Sequence, residues 1–258
     1  MSKLMELRTV QSNAFRTLVE VLKDVLNDIN ITFDESGMRI MAMDGSHVAL
    51  IHMKLFSEKF EYYHCKQKFN TGICMASLFK LMKTVGNNDT LNMYIDENCM
   101  DELCIKVENE PKNSSTLFKL KLLDIDLEEL NIPDVEINCI VTMPSNDFQR
   151  MCRDMANIAD TVIIQSDDEG LRFKCDGDFA SQETLIGEAN HGLVFNKKQG
   201  ESELIEGKFA LKYINLFTKS TNLCNTIELY LKPDYPLILK YNVANLGEIR
   251  FCLAPKID

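Results

Sequence analysis

The chain has 258 residues, of which 28 are Lys or Arg and 39 are Asp or Glu, so its formal net charge is −11. This charge argues against nucleic-acid binding unless the basic side chains are gathered on one face, because phosphate binding rewards Lys and Arg. A signal peptide and a membrane span are not expected, because the N-terminus lacks an apolar core and no stretch approaches the roughly 20 apolar residues of a span.

The first predicted element is a helix over 12–28, and Ser12 is placed to cap its N-terminus. Its apolar residues recur at helical spacing on one face: Phe15, Leu18, Val19, Leu22, Val25 and Leu26. A shorter helix is predicted over 75–84. Alternating apolar and polar residues predict strands over 38–43, 48–53 and 103–107.

A segment over 119–137 then joins the two halves of the chain. Acidic residues alternate in it with Leu and Ile, and it is not a flexible Gly/Ser linker. We interpret it as an extended connector that lies on the surface with some apolar side chains tucked in. Leu130, Ile132 and Pro133 are expected to be partly exposed, and an exposed apolar patch is typical of a partner site.

The second half repeats the helical pattern. A helix is predicted over 145–157, with Phe148, Met151, Cys152 and Met155 on its apolar face. A further helix is predicted over 210–220, and strands are predicted over 226–231 and 237–241.

Three elements of the first half recur in the second half in the same order. Ser-Asn-x-Phe begins at 12 and at 145, and Gly-x-Arg begins at 37 and at 170, both 133 residues apart. The helical segment 75–83 has its counterpart at 211–219. The chain is therefore predicted to hold two copies of one α+β domain, with two helices on a largely antiparallel sheet. The predicted limits are 1–118, a connector over 119–137, and 138–258.

Each predicted helix carries two basic residues three or seven positions apart, which places both on one face. For a single helix, a solvated face with salt bridges is the simpler interpretation, but the pattern occurs four times. If these helices face a common side, they form a basic stripe that would contact phosphates without reading bases. The residues are Arg16, Lys23, Lys80, Lys83, Arg150, Arg153, Lys212 and Lys219.

Signatures of catalysis or metal binding are not found. The sequence lacks GxxxxGK[ST], GxSxG and HExxH, and the nine cysteines form no CxxC pair, which indicates reduced thiols in an intracellular protein. The pair Asp124 and Asp126 leaves open an enzyme of another class, a metal-dependent nuclease. We favour a binding protein without cofactor or metal.

Residues 43–50 read Met-Asp-Gly-Ser-His-Val-Ala-Leu, and this segment resembles the Met-Asp-x-Ser-His-Val-x-Leu segment of the proliferating cell nuclear antigen family of DNA sliding clamps. The resemblance continues through 122–133, 143–154 and 209–219, and ends with Leu-Ala-Pro-Lys-Ile at 253–257. It covers nearly the whole chain in order.

The resemblance implies a homotrimeric ring with six-fold pseudo-symmetry, in which helices line the hole and duplex DNA passes through it. The eight basic residues fall on the hole-lining helices. An edge strand near 114–121 would pair head-to-tail with one near 179–187 of the next subunit. The alternative is one subunit of a heterotrimeric clamp, as in checkpoint or archaeal rings.

The resemblance also implies a pocket under the connector that takes a short peptide with a Gln, an aliphatic residue and two aromatic residues. The proteins that carry this peptide would be a DNA polymerase, a clamp loader, a flap nuclease and a ligase. The resemblance places them in a nucleus or a viral replication compartment. The matching positions are Met43, His47, Val48, Leu50, Leu130, Ile132, Pro133, Pro236, Cys252, Leu253, Ala254 and Pro255.

The chain departs from the family pattern at a few positions. Cys252 and Ile137 stand where many relatives have Tyr, so a wider or softer pocket is expected. Asp168 replaces the lysine that receives ubiquitin or SUMO in the best-known relatives, so that switch is expected to be absent. The acidic tail common in the family is expected to be missing, because the sequence stops at Asp258.

Overall fold

A computed structural model describes residues 2–127, 130, 136–167, 169–189, 192–197 and 204–256. The chain forms two compact units. The first contains Met1–Gly45, Ile51–Leu130 and Asn242–Ile249, and the second contains Ser46–Leu50, Asn131–Tyr241 and Arg250–Asp258. Each unit therefore includes a short segment from the other half of the chain. The domain limits given above stay predictions.

The first half of the chain contributes nine strands and two helices within the described residues. They are β1 (Lys3–Thr9), α1 (Ser12–Val25), β2 (Asp28–Asp34), β3 (Gly37–Met43), β4 (Ala49–Phe56), β5 (Tyr62–Cys65), β6 (Phe69–Cys74), α2 (Met75–Met82), β7 (Thr90–Asp96), β8 (Cys99–Asn109) and β9 (Ser114–Lys121).

The second half has its elements in the same order. They are β10 (Cys139–Pro144), α3 (Ser145–Ala156), β11 (Thr161–Ser166), β12 (Leu171–Asp176), β13 (Ser181–Ile186), β14 (Val194–Lys197), β15 (Ile205–Ala210), α4 (Leu211–Phe217), β16 (Thr226–Leu231), β17 (Leu237–Val243) and β18 (Gly247–Leu253). Short 3₁₀ helices at Ser57–Lys59 and Thr218–Asn222 follow β4 and α4. None of the helices in the described residues is long and apolar enough to span a membrane.

Antiparallel sheet dominates both units, which confirms the α+β prediction. In the first unit β5-β1-β7-β8-β9 form one sheet, and β4-β3-β2-β6 lie side by side in another. In the second unit β13-β12-β11-β15 form one sheet, and β14-β10-β16-β17 lie side by side in another. β9 and β13 are thus edge strands, while β4, β17 and β18 have residues in both units.

The predicted apolar faces of the long helices are buried. On α1 the side chains of Phe15, Leu18, Val19 and Leu22 are in the core, and on α3 those of Phe148, Met151, Cys152 and Met155 are buried. The Phe148 ring meets the Phe173 ring of β12 edge-on, with centroids 6.1 Å apart. Burial of such faces supplies most of the stability of a helix in a protein.

Two glycines show the duplication at the level of the backbone. Gly37 is the first residue of β3, and Gly170 lies between β11 and β12. Both have positive φ angles, of 136° and 151°. A Cβ on Gly37 would lie 2.0 Å from the Leu55 carbonyl oxygen, and one on Gly170 would lie 2.4 Å from the Ile186 carbonyl oxygen. Both positions therefore require glycine for the same two reasons, conformation and space.

Two details of the predicted first helix are wrong. The helix ends at Val25 instead of 28, because Leu26 is extended and β2 begins at Asp28. Ser12 is the first helical residue and does not cap the helix, since Gln11 is at the N-cap without a side-chain hydrogen bond. The Ser12 hydroxyl instead donates to the Gly86 carbonyl oxygen at 3.0 Å.

Candidate nucleic-acid interface and partner pocket

The basic residues of the first unit come from α1 and α2, which pack together. Arg16 is half-buried between them, and its guanidinium donates to the Val85 carbonyl oxygen at 2.9 Å. The same group donates to the side-chain oxygens of Asn13 and Asn87, at 2.8 and 2.9 Å. Arg16 therefore holds the segment that follows α2 against α1, in addition to any contact with a ligand.

Lys23 and Lys83 both lie near the Phe79 ring. The Lys23 Nζ is 4.6 Å from the centroid of the Phe79 ring and the Lys83 Nζ is 5.6 Å from it. One aromatic ring of α2 therefore contacts a lysine of α1 as well as the lysine that follows α2. Lys23 also pairs with Asp24, whereas the nearby Lys80 is exposed and has no ion-pair partner in the described part of the chain.

The basic residues of the second unit differ in whether an acidic side chain pairs with them. Arg150 pairs with Asp147 one turn earlier, at 3.1 Å, and both side chains are exposed. Arg153 is exposed, and the described residues supply no ion-pair partner for it. Lys212 lies over the Tyr213 ring at 4.9 Å. Surface ion pairs such as Arg150–Asp147 contribute little to stability, so the guanidinium is available to a phosphate.

The last predicted basic residue needs a correction. Lys219 does not share an α-helical face with Lys212, because α4 ends at Phe217 and Lys219 lies in the 3₁₀ helix Thr218–Asn222. Lys83 likewise follows the last residue of α2, but keeps helical backbone angles. The seven-residue spacing thus identified Lys219 as an exposed lysine, but wrongly predicted that it lies on the same α-helix as Lys212.

Two side chains of each long helix hydrogen-bond to the segment at the end of the short helix, and these contacts were not predicted from the sequence. The Ser145 hydroxyl donates to the Cys224 carbonyl oxygen at 2.7 Å, as Ser12 does to Gly86. The Gln149 amide donates to the Thr218 carbonyl oxygen at 2.7 Å, in the position where Arg16 donates to Val85. The offset of 133 residues relates Ser12 to Ser145 and Arg16 to Gln149. The internal repeat therefore indicated that these residues occupy equivalent positions in the two units.

The predicted partner pocket has eight described members in the second unit. The Val48 carbonyl oxygen accepts a hydrogen bond from the Ala254 amide at 3.0 Å, which fixes the chain end beside the turn at 44–48. His47 is exposed in that turn with a φ angle of 55°, and Ser46 shares a hydrogen bond with the Tyr213 hydroxyl. The eight are His47, Val48, Leu50, Pro236, Cys252, Leu253, Ala254 and Pro255.

Most of these residues are half-buried, as expected for the walls of a shallow apolar site. Val48, Leu50, Pro236, Ala254 and Pro255 all have intermediate exposure, whereas Cys252 and Leu253 are buried. Burial raises the pKa of the Cys252 thiol to about 11, so it is uncharged at neutral pH. It acts there as a small apolar group.

The remaining predicted pocket residues are distributed differently. Met43 and Leu130 belong to the first unit and are half-buried. Ile132 and Pro133 lie outside the described residues, as does Asp168. Their part in a pocket stays a prediction.

Tyr235 is a pocket neighbour that the sequence interpretation missed. It precedes Pro236 and is half-buried, and burial raises the pKa of its hydroxyl, with a smaller contribution from the adjacent Cys252. The Lys232 Nζ lies 5.9 Å from the centroid of its ring and donates to the Glu136 carbonyl oxygen at 3.2 Å. The sequence feature that could have indicated Tyr235 is an aromatic residue within the turn-forming segment Lys-Pro-Asp-Tyr-Pro at 232–236.

The edge strands predicted to join neighbouring copies both expose apolar side chains. Leu117 on β9 is 49% exposed and Leu185 on β13 is 46% exposed. Beside β13 and α3 lies an open cavity of about 350 Å³ with a largely apolar lining. Its lining includes Met143, Met151, Gln182, Ile186 and Leu193, together with Asp147 and Arg150. An exposed edge of this kind is a template for pairing with another strand.

The acidic residues considered as metal ligands are not gathered into a site. Asp124 and Asp126 are exposed on the connector. Over the described residues, no three His, Cys, Asp or Glu side chains are close enough together to hold a metal ion.

Two family models together match residues 4–256. The model of the proliferating cell nuclear antigen N-terminal domain matches residues 4–130, and that of the C-terminal domain matches residues 131–256. This chain belongs to the proliferating cell nuclear antigen family. A relative from Paramecium bursaria Chlorella virus 1, described as a probable DNA polymerase sliding clamp, is 38% identical over 256 residues, which cover 98% of this chain and 97% of the relative. The family resemblance expected from the motifs at 43–50 and 253–257 is thereby confirmed.

Proposed function

We propose that the protein is a DNA sliding clamp, a ring around duplex DNA that keeps a polymerase on its template. The observation that carries this conclusion is the match of both family domains, in order, over residues 4–256. The family acts by binding and holds no catalytic centre, so we infer that this chain is a processivity factor and not an enzyme. The viral relative supports a role in a viral replication compartment.

The DNA contacts are assigned to the basic residues of the four helices. Lys80, Lys83, Arg153 and Lys212 are exposed, and the Nζ atoms of Lys23 and Lys83 lie 4.6 and 5.6 Å from the centroid of the Phe79 ring. Acidic residues on the same helices, such as Asp147 and Asp154, keep the local positive charge moderate. Moderate contacts with phosphates, without base recognition, suit a ring that must slide.

Ring closure is assigned to β9 of one subunit and β13 of the next. Within the described residues both strands lie at the edge of their sheet, and each exposes a leucine, Leu117 on β9 and Leu185 on β13. A head-to-tail contact between two different strands generates a closed ring when the rotation between copies completes a circle. We infer that three copies complete it.

The partner site is assigned to the half-buried apolar residues around Val48 and Ala254 in the second unit. Leu130, at the end of the first unit, is proposed as a further contact of the partner peptide. An apolar surface with few polar groups fits a peptide that inserts an aliphatic residue and two aromatic side chains. Tyr235 adds an aromatic wall next to Cys252. We propose that polymerases, the clamp loader, nucleases and ligases bind here.

Replacing Leu50 with Ala tests this pocket. We expect the affinity for a synthetic peptide with a Gln, an aliphatic residue and two aromatic residues to fall about tenfold, because apolar anchors dominate such sites and the truncation removes about 1–2 kcal/mol of contact. Isothermal titration calorimetry measures the affinity.

The matched control is Met100→Ala, which truncates a side chain that is 56% exposed at the hairpin between β7 and β8. It should leave the peptide affinity unchanged. Equal affinities for the Leu50→Ala protein and the unaltered protein would reject the pocket.

A further inference from the structure

The start of the connector is fastened to the first unit by backbone hydrogen bonds. The Leu123 amide donates to the Gly72 carbonyl oxygen at 2.8 Å, and residues 72 and 123 form an isolated antiparallel bridge on β6. One residue earlier, the Leu122 amide donates to the Asp101 carbonyl oxygen at 2.9 Å. The connector thus begins as a partner of the β6 edge.

Asn30 on β2 makes a second attachment from its side chain. Its Nδ2 donates to the carbonyl oxygens of Ile125 and Asp126, each at 3.1 Å. One amide group thereby holds two successive connector carbonyls. These bonds are formed between residues far apart in the sequence, so they fix the path of the connector and not only its local shape.

Gly72 leaves the space in which this attachment forms. It stands directly opposite Asn30 in the pairing of β2 with β6. A Cβ at residue 72 would lie 2.4 Å from the Leu123 carbonyl oxygen and 2.8 and 2.9 Å from carbons of the Ile125 side chain. Any larger residue would therefore push the connector off the sheet.

Most side chains of this stretch are exposed. Leu123 is 39% exposed, Leu127 is 62% exposed, and Asp124 and Asp126 are exposed. A segment with so little burial opens locally at small free-energy cost unless hydrogen bonds restrain it. Asn30 and Gly72 are the residues of the sheet that provide the restraint.

We propose that Asn30 and Gly72 are positioning residues for partner binding: they fix the start of the connector and thereby the position of Leu130, which is one of the residues proposed to contact the partner peptide. The inference rests on the proposed partner pocket. Leu130 follows the attached carbonyl of Asp126 by only four residues, so a loose attachment spreads Leu130 over many positions. The apparent affinity then falls by the fraction of molecules in which the connector is in place.

The test compares Asn30→Asp and Gly72→Ala with the unaltered protein. Asn30→Asp keeps the size of the side chain but replaces the donor with a carboxylate that faces two carbonyl oxygens. We expect amide hydrogen exchange over 122–126 to accelerate about tenfold or more, because the removal of a hydrogen bond of this kind corresponds to about one factor of ten. We expect a similar loss of affinity for the aromatic peptide. The oligomer mass should not change.

The matched control is Thr32→Val, which removes the Thr32–Asn70 hydrogen bond from the same strand pair and leaves the connector untouched. It should change neither exchange over 122–126 nor peptide affinity. Normal peptide affinity in Asn30→Asp, or unchanged exchange over 122–126, would overturn the inference alone. Absence of peptide binding by the unaltered protein would reject the proposed pocket and with it this inference.

Discussion

Replacing Leu117 with Asp is expected to reduce the protein from a trimer to a single chain. Leu117 is 49% exposed at the free edge of β9, and the proposed ring contact would bury it against β13 of the next copy. A carboxylate buried there without a partner costs several kcal/mol, which directly opposes the proposed contact. Light scattering after size-exclusion chromatography should show a mass of 29.5 kDa instead of three times that value.

A second variant makes this test specific for a head-to-tail contact. Leu185→Asp blocks β13 and leaves β9 intact, whereas Leu117→Asp blocks β9 and leaves β13 intact. Each variant alone should therefore be monomeric. A mixture of the two should form dimers with one intact contact and no rings, which an isologous contact between identical strands would not give.

Tyr62→Asp is the matched control for the edge. Tyr62 is also 49% exposed and lies on β5, at the opposite edge of the same sheet. It should leave the trimer intact. A trimer that survives Leu117→Asp would contradict the proposed contact, and an unaltered protein that is monomeric alone would favour a heterotrimeric clamp.

Reversing charge on the helices is expected to weaken DNA binding strongly while the ring stays closed. The double variant Lys80→Glu and Arg153→Glu changes one exposed cation in each unit, and neither residue has an ion-pair partner within the described ranges. Arg150 is the poorer choice, because it pairs with Asp147 and lines the cavity beside β13. We expect the affinity for duplex DNA to fall about tenfold or more at low salt.

The salt dependence distinguishes phosphate binding from other effects. The logarithm of the affinity should depend less steeply on the logarithm of salt concentration, by about one for each phosphate-binding side chain that is replaced. Fluorescence anisotropy with a labelled duplex measures both quantities. Lys68→Glu, which reverses an exposed lysine between β5 and β6 that has no ion-pair partner among the described residues, is the control and should bind like the unaltered protein. Equal slopes for the double variant and the control would remove these residues from the DNA-facing set.

The sequence predicted the elements whose signal is local. The apolar faces of α1 and α3 follow from helical periodicity, and the two copies of the fold follow from motifs such as Gly37 and Gly170. Both glycines also carry a backbone conformation that only this residue adopts easily. Repeated local patterns of this kind can be recognised in the sequence without knowledge of the tertiary structure.

The errors and omissions concern contacts between distant residues. Ser12 is of a residue type that is common at the N-cap, but its hydroxyl donates a hydrogen bond to the Gly86 carbonyl oxygen in the loop after α2. The role of Asn30 was not predicted, because its partners are the carbonyl groups of Ile125 and Asp126, which any residue supplies. Backbone acceptors have no sequence signature, so only the fold reveals such roles.

The candidate site was predicted in two unequal parts. Basic residues at helical spacing were found from the residues themselves, since charge and period are both visible in the sequence. The pocket came from resemblance to a family, because half-buried residues such as Val48 and Ala254 meet only through tertiary hydrogen bonding. Tyr235 was missed for the same reason.

Encirclement of DNA is tested most directly by a linear duplex whose ends are blocked after the protein has been added. A ring threads onto free ends and is trapped when bulky protein blocks are attached to both of them. We predict that the trapped protein stays on the blocked duplex in high salt and leaves it at once when one end is cut. Loss in high salt regardless of the blocks would show that the protein binds the side of the duplex, and would contradict the account.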